Sequence, residues 1–252
     1  MTKTVVITGA TGRLGAAIAR HLAALGWHLV LTSRDAARCQ PLAQELRMAG
    51  ATVHAVALDL LDKGSTETLA ARIAGMGIAA THVVSNARSL DTLKLDENGL
   101  ASAREFLDEF AIDVVGPYRM LMAFVRDPRH DLRGVVAVGS QYGQVAPNPA
   151  LYDGDLNRSP VQYGVAKAAL HHMTRELSVR LAPGVRVNCV AYGGFVGRTD
   201  AAFQDRYARL VPLGRMLTEA DAGGPVAFLL DDAAAAAVTG HVLVADGGWS
   251  VW

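Results

Sequence analysis

The chain has 252 residues, of which 51 % are apolar, and its 24 Lys and Arg balance 24 Asp and Glu to a net charge of zero. That length holds one large domain or two small ones, and the apolar share excludes disorder as the main state. The missing basic excess argues against nucleic acid or an acidic membrane as the main partner. Only two cysteines occur, Cys39 and Cys189, far apart in the chain. They argue against a disulfide framework and a structural zinc site, and suit a reducing cytoplasm. The run before Gly9 is too short for a secretory signal, and no stretch approaches the ~18 apolar residues of a membrane span. A cytoplasmic globular protein is expected, with neither membrane nor nucleic acid as its partner.

Apolar, β-branched runs alternate with Ala- and Leu-rich stretches at helical spacing. A strand is predicted over 5–8, followed by a helix over 13–25 carried by Leu14, Ile18, Leu22 and Leu25 and stopped by Gly26. A strand over 28–32 leads to a helix over 36–49, and a strand over 52–58 to a helix over 65–74. After a strand over 82–85 comes a long helical stretch, 101–125, with Gly116-Pro117 inside it, and then a strand over 134–138. A helix over 160–181 and strands over 185–190 and 242–245 complete the series, with the alanine run 233–237 a helix end or surface turn. Almost wholly apolar strands separated by helices indicate parallel pairing with both faces covered. The predicted architecture is therefore a doubly wound α/β fold. Its seven-stranded parallel sheet is flanked by helices on both faces, in one domain over 1–252. Two segments lack a regular pattern, 141–159 and 193–219; connections that long are often functional.

Thr8-Gly9-Ala10-Thr11-Gly12-Arg13-Leu14-Gly15 follows the first strand and opens the first helix. Glycines there let backbone N–H groups approach a pyrophosphate, whose charge the helix N-terminus favours. A tight turn needing positive φ is the alternative. Arg13 would gain charge-assisted hydrogen bonds from a phosphate, or else lie exposed on the first helical turn. Where NAD-specific sites place an acid for the ribose, this chain has Ser33 and Arg34, with Asp35 following. A hydroxyl and a guanidinium suit a 2′-phosphate, so NADP(H) is expected in preference to NAD(H). Tyr163 and Lys167 stand four apart on a predicted helix and share a face. A phenol with pKa near ~10 is a poor base at neutral pH, and a neighbouring cation favours its phenolate.

Together these motifs resemble the short-chain dehydrogenases/reductases, a single-domain Rossmann-type family. The resemblance continues through Arg186-Val187-Asn188-Cys189-Val190, Pro212-Leu213-Gly214-Arg215, Thr239-Gly240 and Asp246-Gly247-Gly248. It implies hydride transfer between a nicotinamide and an alcohol or carbonyl carbon. Tyr163 would be the acid–base group, Lys167 its cation, and Ser140 the hydroxyl that holds the substrate oxygen, with a helix or turn cap as the alternative for Ser140. Asp113 stands where the family has an asparagine ahead of Gly-Pro. The implied cofactor contacts are Gly9, Thr11, Arg13, Leu14, Gly15, Ser33, Arg34, Asp59, Leu60, Asn86, Ala87, Gly193 and Val196, joined by Tyr163 and Lys167. Arg13 replaces the usual middle glycine, as in pteridine reductases. Arg88 replaces the glycine after Asn86-Ala87, and Tyr192 the proline ahead of Gly193. The family commonly forms tetramers through helices like 101–125 and 160–181 and through the last strand, so a homotetramer or a dimer is expected.

The 141–159 loop is similar to a branch associated with bacterial surface-sugar biosynthesis and flagellin modification. The likeness lies in Ser140-Gln141-Tyr142-Gly143 and in Ser159-Pro160-Val161-Gln162-Tyr163. Its Gln141, Tyr152, Asp153, Asp155 and Asn157 suit a substrate's hydroxyls, or a solvated loop at a subunit interface. Phe195, Phe203, Tyr207 and Val211 in the covering segment suit an aromatic lid, or the packing of a short amphipathic helix. Arg88 and Arg198 would clamp a carboxylate or phosphate, or else pair with Asp91 or Asp96 and with Asp200. The expected substrate residues are therefore Arg88, Gln141, Tyr152, Phe195 and Arg198. No metal is expected, His171-His172 lying outside any ligand spacing. The expected activity is NADP(H)-dependent carbonyl reduction or alcohol oxidation on a small, sugar-derived molecule. The alternatives are a pteridine-type reductase, a 3-ketoacyl reductase and a non-catalytic cofactor-binding regulator.

Overall fold

The computed structural model describes residues 3–197 and 199–252, with Leu156 by its backbone alone. Strands β1 (Thr4–Ile7), β2 (His28–Ser33), β3 (Val53–Ala57), β4 (His82–Ser85), β5 (Gly134–Ser140), β6 (Arg186–Tyr192) and β7 (Val242–Ala245) form one sheet in the order β3-β2-β1-β4-β5-β6-β7. Every pairing is parallel. The chain reverses its direction of travel across the sheet between β1 and β4. In open parallel sheets the crevice beyond the strand ends at such a point is where ligands bind.

The two faces bury separate apolar layers, as runs such as Val5-Val6-Ile7 and Val135-Val136 require of strands covered on both sides. On one face, Val5, Ile7, Leu29, Leu31 and Val190 pack against α1 (Arg13–Ala24), α2 (Gln40–Met48) and α8 (Gly223–Leu230). On the other, Val6, Val30, Val83 and Val135 meet α3 (Lys63–Gly75), α5 (Gly116–Arg126) and α6 (Val161–Leu181). A smaller cluster of Leu151, Tyr152, Tyr207, Val211, Met216 and Trp249 binds the two irregular segments to each other. No helix among the described residues is long and apolar enough to cross a membrane.

Several elements differ from the sequence reading, which also did not foresee α8. The stretch predicted as one helix over 101–125 divides into α4 (Ala103–Phe110), a π-helical turn (Ala111–Val115) and α5. Pro117 has no N–H to continue an α-helical ladder, and the Gly116 N–H reaches back five residues to the Ala111 carbonyl. The predicted helix over 36–49 begins as a 3-10 turn (Ala36–Cys39), with Pro41 in the first turn of α2. The 193–219 segment contains α7 (Ala201–Leu210), capped by the Asp200 side chain accepting from the Phe203 N–H at 2.7 Å. Strand β5 reaches Ser140 and β6 reaches Tyr192, two residues beyond the predicted ends.

Candidate active site

The crevice at the switch point begins with Thr8. Its hydroxyl accepts from the backbone N–H groups of Asn86 and Ala87, each at 2.9 Å, and the Asn86 amide donates to the Thr8 carbonyl at 2.9 Å. The turn after β1 is thereby fixed to the segment after β4. Gly9 has φ +64°, and a Cβ there would lie 2.7 Å from the Ala87 Cα; a Cβ at Gly15 would lie 2.8 Å from the Asn86 amide nitrogen. Only glycine fits these two approaches. Helix α1 starts at Gly12 without a side-chain cap and without an acidic residue in its first turn. Its first N–H groups and the positive end of its dipole are left for an anion. This cradle fits the pyrophosphate of a dinucleotide.

Past β2, the Ser33 hydroxyl is buried, donates to the Asp35 carbonyl at 2.6 Å and accepts from Cys39 Sγ at 3.3 Å. Its proton is used inside the turn. The Asp35 carboxylate caps the following 3-10 turn, accepting from the Ala37 N–H at 2.9 Å. Arg34 and Arg38 are left exposed on this rim, and Arg38 is a candidate the sequence reading missed. Past β3, the Asp59 carboxylate accepts from the Leu61 N–H at 2.9 Å, while Leu60 is buried against α5.

The other end of the crevice is built from β5, α6 and the π-helical turn. Lys167 is 4 % exposed. Its ammonium lies 2.9 Å from Asp113 Oδ2, donates to the Val138 carbonyl at 3.3 Å, and sits 5.6 Å from the Tyr163 ring centroid. Burial works against the Lys167 charge, but Asp113, Tyr163 and the Asp113 hydrogen bond outweigh it, so the ammonium is held above its ordinary range. Ser140, two residues past Val138, ends β5, and its hydroxyl accepts from the Tyr142 N–H at 3.2 Å. The capping role considered for Ser140 is thus present, in the 3-10 turn Gln141–Gly143. That turn presses on α6 so closely that a Cβ at Gly143 would lie 2.9 Å from the Lys167 carbonyl carbon. His171, one turn further along α6, is pushed down to about 4 by burial and by Lys167, so it is neutral at physiological pH. Tyr163 is half-buried, and Arg88 lies over its ring, guanidinium carbon to centroid 4.9 Å. Arg88 pairs with neither Asp91 nor Asp96, whose carboxylates bond Ser89 and the Asn98 and Leu100 N–H groups.

Several side chains expected at the ligand make hydrogen bonds within the protein. Arg13 donates to the Val196 carbonyl at 2.7 Å and to Glu219 at 3.0 Å, binding the glycine-rich turn to the covering segment. Gln141 is buried, and its Oε1 accepts from the Tyr207 hydroxyl at 3.0 Å; that hydroxyl in turn accepts from the Gly194 N–H at 2.8 Å. Tyr152 is buried and bonds the Tyr142 hydroxyl at 2.8 Å. Phe195 packs beside Tyr192 at 5.4 Å, and Tyr207 stacks on Trp249 at 4.6 Å. Gln141, Tyr152 and Tyr207 are thus held in place by bonds and packing within the two irregular segments. Gly193 and Val196 border the same segment, where the Val196 N–H donates to the Leu217 carbonyl at 2.9 Å. Arg198 lies outside the described residues. Sequence reading also missed Glu109, fully buried beside the Asp113–Lys167 pair; a carboxyl on an otherwise amphipathic helix gave no signal of it.

A family model described as enoyl-(acyl carrier protein) reductase matches residues 9–250. L-rhamnose 1-dehydrogenase (NAD(P)(+)) of Azotobacter vinelandii is 31 % identical over 268 residues, covering 98 % of this chain and 96 % of that one. Galactitol 2-dehydrogenase (L-tagatose-forming) of Cereibacter sphaeroides is 30 % identical over 259 residues, covering 98 % and 94 %. The crystal structure of a blue fluorescent protein from a metagenomic library, in complex with NADPH, matches the fold with TM-score 0.83 at 24 % identity, covering 98 % of each chain. With the parallel sheet, the anion cradle at its switch point and the Tyr163–Lys167 helix, these matches make the chain a member of the short-chain dehydrogenase/reductase family, an oxidoreductase that binds a nicotinamide cofactor and acts on alcohol or carbonyl carbons.

Proposed function

We propose that the protein is an NADP(H)-dependent dehydrogenase/reductase of a polyhydroxylated, sugar-derived substrate. The observation that carries the reading is the buried Asp113–Lys167 ion pair beneath Tyr163, with Ser140 at the neighbouring strand end. Bound nicotinamide supplies or accepts the hydride. In reduction, Tyr163 gives its phenolic proton to the carbonyl oxygen, and in oxidation it takes the proton back. The Lys167 ammonium stands 5.6 Å from the Tyr163 ring centroid, and the Ser140 hydroxyl hydrogen-bonds the oxygen on which charge develops. Gly9, Thr11, Leu14 and Gly15 would hold the pyrophosphate, and Asp59, Leu60, Asn86 and Ala87 the remainder of the dinucleotide.

NADP(H) is favoured by Arg34 and Arg38, exposed where a 2′-phosphate would lie, and by Asp35, whose carboxylate is occupied as a cap. Two relatives named for galactitol and L-rhamnose support a sugar or sugar alcohol, in line with the surface-sugar likeness of the 141–159 loop. Arg88, beside Tyr163 and without a carboxylate partner among the described residues, favours an acidic member of that class. Exposed Leu107, Phe110 and Tyr118 on α4 and α5, and Val161 and Val165 on α6, supply an apolar face for a homotetramer or dimer. Two buried free thiols suit the cytoplasm. The test is NADPH oxidation across neutral and acidic ketosugars, pterins, quinones and ketoacyl thioesters. Turnover confined to the ketosugars supports the proposal, and turnover confined to any other class refutes it.

A further inference from the structure

Beside the Asp113–Lys167 pair lies a second carboxyl that the reaction as described does not use. Glu109, four residues before Asp113 on α4, is 0 % exposed. Its Oε2 makes a very short hydrogen bond with the Thr92 hydroxyl, and its Oε1 has no partner among the described residues. Two carboxyls and one ammonium therefore share a dry pocket. With both carboxyls ionised, Lys167 would pair with Asp113 and Glu109 would be left with no cation in contact, and buried charge without a partner is costly. The hydrogen bonds point the same way. Thr92 has one hydroxyl proton and two oxygens to give it to, Glu109 Oε2 and the Ser89 carbonyl at 3.3 Å. If Glu109 carries a proton, it donates to Thr92 and Thr92 donates to Ser89, so both of these bonds form, Oε1 being unpartnered in either state. If Glu109 is ionised, one of the two acceptors goes without.

The charged groups around Glu109 are few. Asp113 faces it from the π-helical turn, Lys167 from α6 and Arg88 from the segment after β4. The Tyr163 ring lies between the last two. On α4 itself, Arg104 and Asp108 are engaged with each other at 2.7 Å on the outer face. Burial and Asp113 push the Glu109 carboxyl up, against the pull of Thr92, Lys167 and Arg88.

We propose that Glu109 is a positioning residue of this site, held as the neutral acid. In that form it clasps the Ser89–Thr92 turn next to Arg88, and it leaves Asp113 as the single anion opposite Lys167. The charge that Tyr163 feels is thus set by a carboxyl that never touches substrate. This rests on the reading of Tyr163 and Lys167 as the acting pair.

The first test is infrared spectroscopy of the whole protein labelled with carboxyl-13C glutamate. A protonated-acid carbonyl band that shifts with the label and persists at pH 7 is expected, because an exposed glutamate is ionised there. Its absence would overturn the proposal without recourse to a variant. The second test is Glu109→Gln. A carboxyl raised in the fold keeps a proton that the unfolded chain releases above ~4.3, so native stability falls as pH climbs through that window. Glutamine removes this penalty. The variant should melt higher than wild type at pH 8, with the gap growing by about 3 °C per pH unit upward from pH 5. Ultraviolet titration of Tyr163, read as the difference from Tyr163→Phe, should keep its midpoint. A lower melting temperature at pH 8 together with a Tyr163 midpoint moved down would show that Glu109 is an anion, and the proposal would fail. Both readouts are independent of turnover, so they separate this proposal from the assignment of substrate.

Discussion

Replacing Asp113 with asparagine keeps the side chain's shape and removes its charge, leaving Lys167 buried with no anion in contact. The two charges stand 2.9 Å apart with side chains 5 % and 1 % exposed. At an effective dielectric of about 20 their attraction is roughly 6 kcal/mol. Desolvation offsets part of this, and deleting one partner of such a pair typically costs about 3–5 kcal/mol. Asp113→Asn should therefore lose about 3 kcal/mol at pH 7, or roughly 6–12 °C in melting temperature for a chain of this size. In wild type the Lys167 pKa is raised. Its contribution is fully present below the ordinary lysine value of ~10.4 and is lost only as pH climbs through the higher folded value. In the variant both Asp113 contributions are gone, burial dominates and the sign reverses: the native state binds fewer protons than the unfolded chain, so the deficit shrinks as pH rises towards 10. Urea denaturation at pH 6, 7.5 and 9 reads both effects. A variant as stable as wild type at all three values would refute the claim that Asp113 holds the Lys167 charge.

Three further outcomes follow from the geometry. Arg34→Ala should weaken NADPH binding by about ten- to a hundredfold, the worth of a charge-assisted phosphate contact, and leave NADH binding unchanged in a fluorescence titration. Arg13→Ala should leave the melting temperature nearly unaltered, since the Arg13–Glu219 pair is about half exposed. It should instead speed amide exchange at Val196 and Leu217, which pair within the covering segment. Arg88→Ala should raise KM for an acidic ketosugar while leaving that of its neutral analogue in place, because a contact common to ground and transition states acts on binding. Equal effects on both substrates would remove Arg88 from the substrate site.

The sheet was legible because its strands are short, largely apolar runs, and β1, β6 and β7 end in glycine-containing turns, a pattern written locally in the chain. Tyr163 and Lys167 were legible because helical spacing alone puts them on one face. Helix α8 was not: GGPVAFLL is eight residues of nearly uniform hydrophobicity with Gly-Gly-Pro at its start, and it has no helical period to read. The π-helical turn depends on where the Gly116 N–H finds its acceptor, which residue type does not announce. Arg13 could be placed near the crevice, but its partner Glu219 is 206 residues away in sequence. Glu109 shows the limit most sharply. It lies among the charged residues of an amphipathic helix, and only the packing of α4 against α6 and the Ser89–Thr92 turn reveals that this one carboxyl faces inward.

The central claim is that Tyr163 carries the proton in an NADPH-linked carbonyl reduction. The most direct measurement is steady-state NADPH oxidation by wild type and by Tyr163→Phe on the ketosugar that wild type turns over best, with NADPH binding followed by fluorescence on the same samples. Tyr163→Phe keeps the ring against Arg88 and Lys167 but has no proton to give. NADPH binding within about twofold of wild type, with turnover lowered by about a hundredfold or more, is the predicted result. Turnover near the wild-type rate in the phenylalanine variant would contradict the account and give the proton to another group.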